Sequence, residues 1–128
     1  MNSIESKVEQ FRHESETWKR NLEFIIEENI NLKNRLANVL KEVASDEELL
    51  NTAEQYQNNF ITEDETVRLL RGDIAELDKL ITEEFYRDGH DINEVMRKQK
   101  KLATEVKDVI GEFNKLKFDF NNYLSEVL

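Results

Sequence analysis

The feature that most constrains this chain is a heptad repeat that runs without a break through its first third. Its members recur at alternating spacings of four and three, which places them on one stripe of a helix and is typical of a left-handed coiled coil. The stripe consists of Ile4, Val8, Phe11, Ser15, Trp18, Leu22, Ile25, Asn29, Leu32, Leu36, Val39 and Val43. All are apolar except Ser15 and Asn29. The first third is therefore predicted to form one long helix that packs on other helices along its length.

Two further segments carry the same repeat. Ser45 and Glu48 form a predicted capping box, in which the Ser45 hydroxyl accepts a hydrogen bond from the Glu48 amide as a second helix begins. Gly89 is predicted to end that helix, and Asp91 to cap a third. Another capping pattern begins at Thr62, but the heptad passes through it unshifted, so we expect one continuous helix there. The second stripe runs through Leu49, Ala53, Tyr56, Phe60, Glu63, Val67, Leu70, Ile74, Leu77 and Ile81, and the third through Ile92, Val95, Gln99, Leu102, Val106, Val109, Phe113, Leu116, Phe120, Tyr123 and Val127.

Turn-forming residues are scarce, with no proline and three glycines among 128 residues. A sheet protein of this length needs a turn about every ten residues, so long helices are favoured. We predict an all-α fold, a single domain over residues 1–128 with helices at about 3–44, 46–87 and 91–127. Short turns near Ser45 and Gly89 make it an elongated antiparallel three-helix coiled-coil bundle. The alternative is an open arrangement in which another chain completes part of the stripe.

Composition also limits the compartment and the partners. Cysteine is absent, and the first residues lack the basic and apolar runs of a signal peptide, so a cytoplasmic location is expected. Residues 45–88 hold 13 acidic and 4 basic residues and carry most of the net charge of −10. Because an acidic surface repels phosphates and anionic headgroups, we expect no nucleic-acid and no membrane partner. The third helix carries a basic run, interpreted as a complement to the acidic second helix: Arg97, Lys98, Lys100, Lys101 and Lys107.

No pattern in the sequence favours catalysis, and we expect no enzymatic activity, no cofactor and no metal site. Neither His13 nor His90 follows a glutamate at the spacing used in carboxylate-bridged metal bundles. The acidic residues around His90 lack the spacing of an EF-hand loop. Most other carboxylates lie at outward heptad positions, where they form a solvated face.

Two polar residues of the stripes, Asn29 and Glu63, are predicted to form one layer across the bundle with Lys117, which lies next to the third stripe. Folding the chain back at the first turn brings Asn29 opposite the turn of helix that ends at Glu63. Folding at the second turn brings Glu63 opposite Lys117. A buried layer of Asn29, Glu63 and Lys117 would fix register and orientation at some cost in stability.

The first helix carries more apolar residues between Leu22 and Val43 than a minimal bundle needs. The candidate partner-binding surface consists of Phe24, Ile26, Ile30, Ala37, Leu40 and, on the third helix, Phe118. Two interpretations fit this set. It forms a protein-binding or self-association surface, which would make the protein a homodimer, or it fills the wedge between helices two and three.

Three stretches resemble small, uncharacterised bacterial all-helical coiled-coil proteins: Glu27–Leu36, Ala53–Ile61 and Leu69–Ile74. The resemblance is a pattern of helix positions without a catalytic motif, so it implies a helical fold and brings no activity with it. The three-helix layout is also similar to a spectrin-type repeat, with Trp18 in the first helix, although the third helix here lacks a tryptophan.

These features favour a structural or interaction protein. The expected function is that of a helical-bundle adaptor or spacer that mediates protein–protein contacts or self-association. The alternative is a regulatory or sensory bundle that binds a small ligand or an ion between its helices. A polar cavity among the helices would favour the alternative, whereas a solid core would favour the adaptor.

Overall fold

Three long α-helices make up the described part of the molecule. The computed structural model describes residues 3–85 and 92–128, with side chains for residues 5–83 and 92–128. Helix α1 spans Ser3–Glu42, α2 spans Glu47–Phe85 and α3 spans Ile92–Val127. Each helix packs against the other two. The predicted all-α three-helix bundle is confirmed.

The turn between α1 and α2 is capped by Asp46 and not by Ser45. The Asp46 amide donates to the Val43 carbonyl at 2.9 Å as the chain leaves α1. The Asp46 carboxylate then accepts a hydrogen bond from the Leu49 amide at 3.2 Å, which is the geometry of an N-cap. The predicted capping box between Ser45 and Glu48 is therefore wrong, because the turn is one residue longer than the sequence pattern implied.

The second helix is continuous through Thr62, as its unshifted heptad predicted. The Thr66 hydroxyl donates to the Thr62 carbonyl at 3.0 Å and so stays within the helix. The second predicted turn, at Asp88–Asp91 with Gly89 and His90, lies outside the described residues.

Contacts between α1 and α2 show that these helices are antiparallel. Ser15 of α1 binds Asp78 of α2, whereas Asn29, farther along α1, binds Asp64, which lies earlier in α2. Residue numbers therefore rise along one helix as they fall along the other. Contacts between α1 and α3 show the parallel arrangement. Lys117 pairs with Glu28, 89 residues away, and Arg35 with Asn121, 86 residues away.

Aromatic rings close the end of the bundle where α2 begins and α3 ends. The Phe120 ring packs edge-on against Phe60 and Tyr56, at centroid distances of 5.1 and 5.2 Å. The Tyr123 hydroxyl donates to the Leu49 carbonyl at 2.9 Å, which satisfies a polar group at the rim of the cluster. These contacts tie the last turns of α3 to the first turns of α2.

The stripes of the three helices converge on one core along the bundle. Its largest fully buried side chains are Phe60, Phe113, Phe120, Leu22, Leu36, Ile74 and Ile81. Full burial of an aliphatic or phenyl side chain stabilises a fold by about 1.5–3 kcal/mol relative to exposure. Gly72 and Gly111 lie on outward positions, where an added Cβ atom would meet nothing within 4 Å.

Candidate functional site

A carboxylate of α2 holds two side chains of α1 in what we call the first clamp, formed by Ser15, Lys19 and Asp78. The buried Ser15 hydroxyl donates to Asp78 Oδ1 at 2.6 Å. Lys19 lies one helical turn later and places its Nζ 2.7 Å from Asp78 Oδ2. Its hydrogen bond to Asp78 raises the pKa of Lys19 above the ordinary value. One oxygen of Asp78 thus serves a buried hydroxyl, and the other serves a surface ammonium.

The second clamp has the same design and consists of Asn29, Lys33 and Asp64. The Asn29 side-chain amide donates to Asp64 Oδ1 at 2.6 Å, and the Lys33 ammonium pairs with Asp64 Oδ2. The same Asn29 amide donates to the backbone carbonyl of Phe60 at 3.0 Å. Asn29 is fully buried, so these bonds replace its contacts with water.

The two clamps are related by a shift of two heptads along both helices. Between them, Arg71 occupies the α2 position that Asp64 and Asp78 occupy in the clamps. A slip of one heptad in either direction would place Arg71 against Lys19 or Lys33. The clamps therefore favour one register of α1 against α2, because the neighbouring registers oppose like charges.

Glu63 lies buried beside the second clamp, with 7% of its surface exposed. Burial, with added repulsion from Glu112 and Asp64, raises the pKa of Glu63 from 4.5 to about 7. Within the described side chains, neither Glu63 Oε1 nor Asn29 Oδ1 has a hydrogen-bond partner. The second clamp and the adjacent Glu63 thus combine two satisfied amide hydrogens of Asn29 with two unsatisfied buried oxygens, one on Asn29 and one on Glu63.

The predicted polar layer is divided between the core and a flank. The structure places Asn29 and Glu63 in the core. Lys117 is half-buried and directs its Nζ to Glu28 Oε2 at 2.8 Å, not to Glu63. The physical reason is that Lys117 lies on the side of α3 that faces α1, where Glu28 is the carboxylate within reach. Asp64 takes the place in the layer that the sequence assigned to the lysine.

The candidate partner-binding residues of α1 fall into three groups. Ile26 and Leu40 are half-buried and pack against the core. Ala37 and Ile30 are exposed on the same side of α1, because they are seven residues apart. Phe24 is also exposed, but it lies on a different side of α1, about 120° from Ile30 at 3.6 residues per turn.

Phe118, the remaining member of the predicted surface, is 66% exposed on α3. It thus lies on a different helix from the rest of the set. The structure adds one residue that the sequence did not single out. Ile61 of α2 is 47% exposed and lines a groove of about 170 Å³ together with Ala37 and Leu40.

We call the resulting surface the α1–α2 apolar face, formed by Ile26, Ile30, Ala37, Leu40 and Ile61. The Lys33–Asp64 pair of the second clamp lies in the middle of this face, since Lys33 lines the same groove. The face therefore has aliphatic side chains around one ion pair.

A second groove, of about 210 Å³, lies between α2 and α3. Leu77 and Leu102 form its apolar part. Its charged lining consists of Asp73, Glu76, Lys98, Lys101 and Glu105. The two lysines form ion pairs within α3, Lys98 with Glu94 and Lys101 with Glu105. Of the predicted charge complementarity between the basic run of α3 and the acidic α2, the structure shows these lysines and the α2 carboxylates lining one groove.

Metal-binding clusters and membrane-spanning helices are both absent from the described ranges, residues 3–85 and 92–128. No group of three or more His, Cys, Asp and Glu side chains is placed to hold a metal ion within them. No helix in the part of the chain that the structure describes has the length and apolar character needed to cross a membrane.

The clamp residues Lys19, Lys33, Asp64 and Asp78 were missed by sequence reasoning. The signal that would have found them is a lysine four residues after each polar residue of the first stripe, matched by aspartates fourteen residues apart in the second helix. Ile61 leaves no comparable signal, because an isolated apolar residue at an outward position is common in any helix.

Comparison with known proteins gives no match, whether with protein-family models, curated proteins or solved structures.

Proposed function

We propose that the protein is a structural interaction protein, a helical-bundle adaptor or spacer that self-associates through its α1–α2 apolar face. One observation carries this proposal. Ile61 of α2 is 47% exposed and lines the groove with Ala37 and Leu40, and Ile30, 49% exposed, lies seven residues before Ala37 on the same side of α1. Clustered exposed aliphatic side chains of this kind mark protein-binding surfaces.

The architecture explains why these side chains remain uncovered. In a three-helix bundle each helix covers the stripe of the other two and the positions that flank it, but not the next positions outward. Ile30 and Ile61 occupy those outward positions, Ile30 on α1 and Ile61 on α2. A further helix laid along the groove would contact both of them, as in a helix-in-groove complex.

Charge favours a second copy of the chain as the occupant of this face. The face contains one lysine and one aspartate, Lys33 and Asp64, so it is neutral within a strongly acidic helix pair. Two copies related by a twofold axis can bring Lys33 of one copy toward Asp64 of the other. A partner whose surface carries charges of only one sign would repel either Lys33 or Asp64.

Sedimentation velocity at tens of micromolar tests this proposal. The wild-type chain is expected to sediment as a dimer, and the double variant Ile30→Lys/Ile61→Lys as a monomer with unchanged helicity. The matched control is Leu69→Lys/Phe118→Lys, which places the same charges on exposed residues away from the face and is expected to remain dimeric. A monomeric wild-type chain, or a double variant that still dimerises, would overturn the proposal.

The α2–α3 groove favours a second candidate function, the binding of a small ligand between helices. A small organic anion would bind through Lys98 and Lys101 above the apolar floor, in competition with the glutamates that already pair with them and against the three carboxylates of the same groove. Its volume of about 210 Å³ lies below the roughly 300–1,000 Å³ of most ligand pockets. A thermal-shift screen of small carboxylates and phosphates, repeated with Lys98→Gln/Lys101→Gln, would test it, because a shift that survives the double variant would exclude this groove.

A further inference from the structure

The orientation of the Asn29 amide is fixed by its hydrogen bonds. Its two N–H groups have two acceptors, the Phe60 carbonyl at 3.0 Å and Asp64 Oδ1 at 2.6 Å. The nitrogen therefore faces α2 at these two residues, and the assignment of nitrogen and oxygen follows from the bonding. The oxygen, Asn29 Oδ1, is buried without a partner among the described side chains.

Glu63 lies one helical turn after Phe60, on the stripe of α2 that faces the core. Its Oε1 is likewise buried without a partner within the described residues. An ionised carboxylate accepts hydrogen bonds only, and so does the free oxygen of Asn29. Two buried acceptors without partners thus lie at one level of the core, and protonation of Glu63 would turn one of them into a donor.

The charged groups around Glu63 do not supply a positive charge. From α2 the neighbour is Asp64, and from α3 it is Glu112, and both are acidic. The two lysines near this level are engaged with other carboxylates, Lys33 of α1 with Asp64 and Lys117 of α3 with the α1 residue Glu28. A negative charge on Glu63 is therefore buried among acids without compensation.

We propose that Asn29 and Glu63 form a proton switch in the core, in which protonated Glu63 donates a hydrogen bond to Asn29 Oδ1 and deprotonated Glu63 loosens α2 from α1 and α3 at this level. The equivalent position of the first clamp, fourteen residues along α2, is the buried Leu77, so only the second clamp carries the switch. The proposal does not depend on self-association.

The direction of the pH effect follows from the two states of Glu63. In the folded chain the pKa of Glu63 is raised to about 7, whereas the unfolded chain has the ordinary value of 4.5. The folded state therefore binds the extra proton between these values, and stability falls as the pH rises through this window. The stabilising contribution is complete below the unfolded pKa and is lost above the folded one.

Chemical unfolding at two pH values tests the switch. From about pH 5.5 to about pH 8.5, Glu63 is expected to raise the unfolding equilibrium constant of the wild-type chain about 30-fold relative to that of Glu63→Gln. The glutamine amide donates permanently to Asn29 Oδ1, so this variant mimics the protonated state. Glu65→Gln, which removes an exposed carboxylate two residues away, is the matched control and is expected to keep the wild-type pH dependence. Identical pH profiles for the wild-type chain and Glu63→Gln would overturn the proposal.

A carbon-detected NMR titration of the Glu63 carboxyl group in the folded wild-type chain needs no variant. A midpoint near neutral pH is expected, and one near that of the exposed glutamates would rule out the switch. Asn29→Leu keeps the shape of the side chain and removes the acceptor, so the Glu63 midpoint is expected to fall. If this variant leaves the midpoint unchanged, the hydrogen bond between Glu63 and Asn29 is wrong.

Discussion

The two clamps use the same three residue positions and differ in what lies beside them in the core. In the first clamp, Asp78 satisfies the buried Ser15 hydroxyl, and the neighbouring stripe residue of α2 is Leu77. In the second clamp, Asp64 and the Phe60 carbonyl satisfy the Asn29 amide hydrogens, and the neighbouring stripe residue is Glu63. The first clamp closes its hydrogen bonds against an apolar core, whereas the second leaves one oxygen of Asn29 unpaired beside an unpaired oxygen of Glu63.

This difference separates two uses of a buried polar group. A polar residue whose hydrogen bonds are complete can fix the register of two helices without responding to solution conditions. A buried acid whose charge is uncompensated makes the stability of its layer depend on pH. The second clamp adjoins the α1–α2 apolar face, because its Lys33 lines the same groove as Ala37, Leu40 and Ile61. Loosening of this layer would therefore act on the surface proposed for self-association.

The largest expected effect concerns the core that supports the second clamp. Phe60→Ala is expected to reduce the free energy of unfolding by about 3–5 kcal/mol, because it removes a fully buried ring and leaves a cavity. Phe118→Ala, the same change at an exposed phenylalanine, is expected to stay within about 0.5 kcal/mol. Urea unfolding measures both. Equal losses would mean that the register of α2 or α3 is wrong.

A glutamate at position 77 would place beside the first clamp the same buried acid that Glu63 places beside the second. Leu77→Glu is expected to reduce the free energy of unfolding by roughly 3 kcal/mol at alkaline pH and by less at acidic pH, since the new carboxyl group is buried. Leu77→Ala creates a cavity without a charge, so its loss should not change with pH. Thermal unfolding across the pH range compares the two. If Leu77→Glu lowered the free energy of unfolding equally at every pH, the core beside the first clamp would admit water.

Removing each clamp aspartate sharpens the comparison further. Asp78→Ala is expected to cost about 1–2 kcal/mol, because it leaves the buried Ser15 hydroxyl without its acceptor. Asp64→Ala should cost less above neutral pH, since Asn29 keeps the Phe60 carbonyl and Glu63 loses an acidic neighbour. Urea unfolding at alkaline pH measures both variants. A larger loss from Asp64→Ala would contradict the assignment of uncompensated charge to the second clamp.

The smallest expected effect lies between the clamps on α2. Gly72→Ala should raise the free energy of unfolding by about 0.5–1 kcal/mol at every pH, because alanine favours the helix and its Cβ atom meets open space. Differential scanning calorimetry of this variant provides a pH-independent reference for the others. A destabilised variant would show that the outer side of α2 is covered.

The sequence by itself determined the number of helices, their approximate ends and their stripes. These follow from the heptad spacing and the scarcity of turn residues, which are local properties of the chain. It also indicated that Asn29 and Glu63 lie on buried stripes. The use of Asp46 as the cap was missed, because Ser45 and Asp46 are both good capping residues and the length of the turn decides between them.

Only the tertiary structure decided which polar groups meet across the helices. Heptad positions place Asp64 and Asp78 on the edge of the stripe, where a carboxylate is solvated unless a partner from another helix reaches it. The register and rotation of α1 against α2 bring Asn29 and Lys33 to Asp64, and the α1–α3 offset sends Lys117 to Glu28. The same rotation left Ile30 and Ile61 exposed, whereas Ile26 and Leu40 pack against the core. Such pairings depend on geometry between segments that lie far apart in the chain, which periodicity along a single helix does not contain.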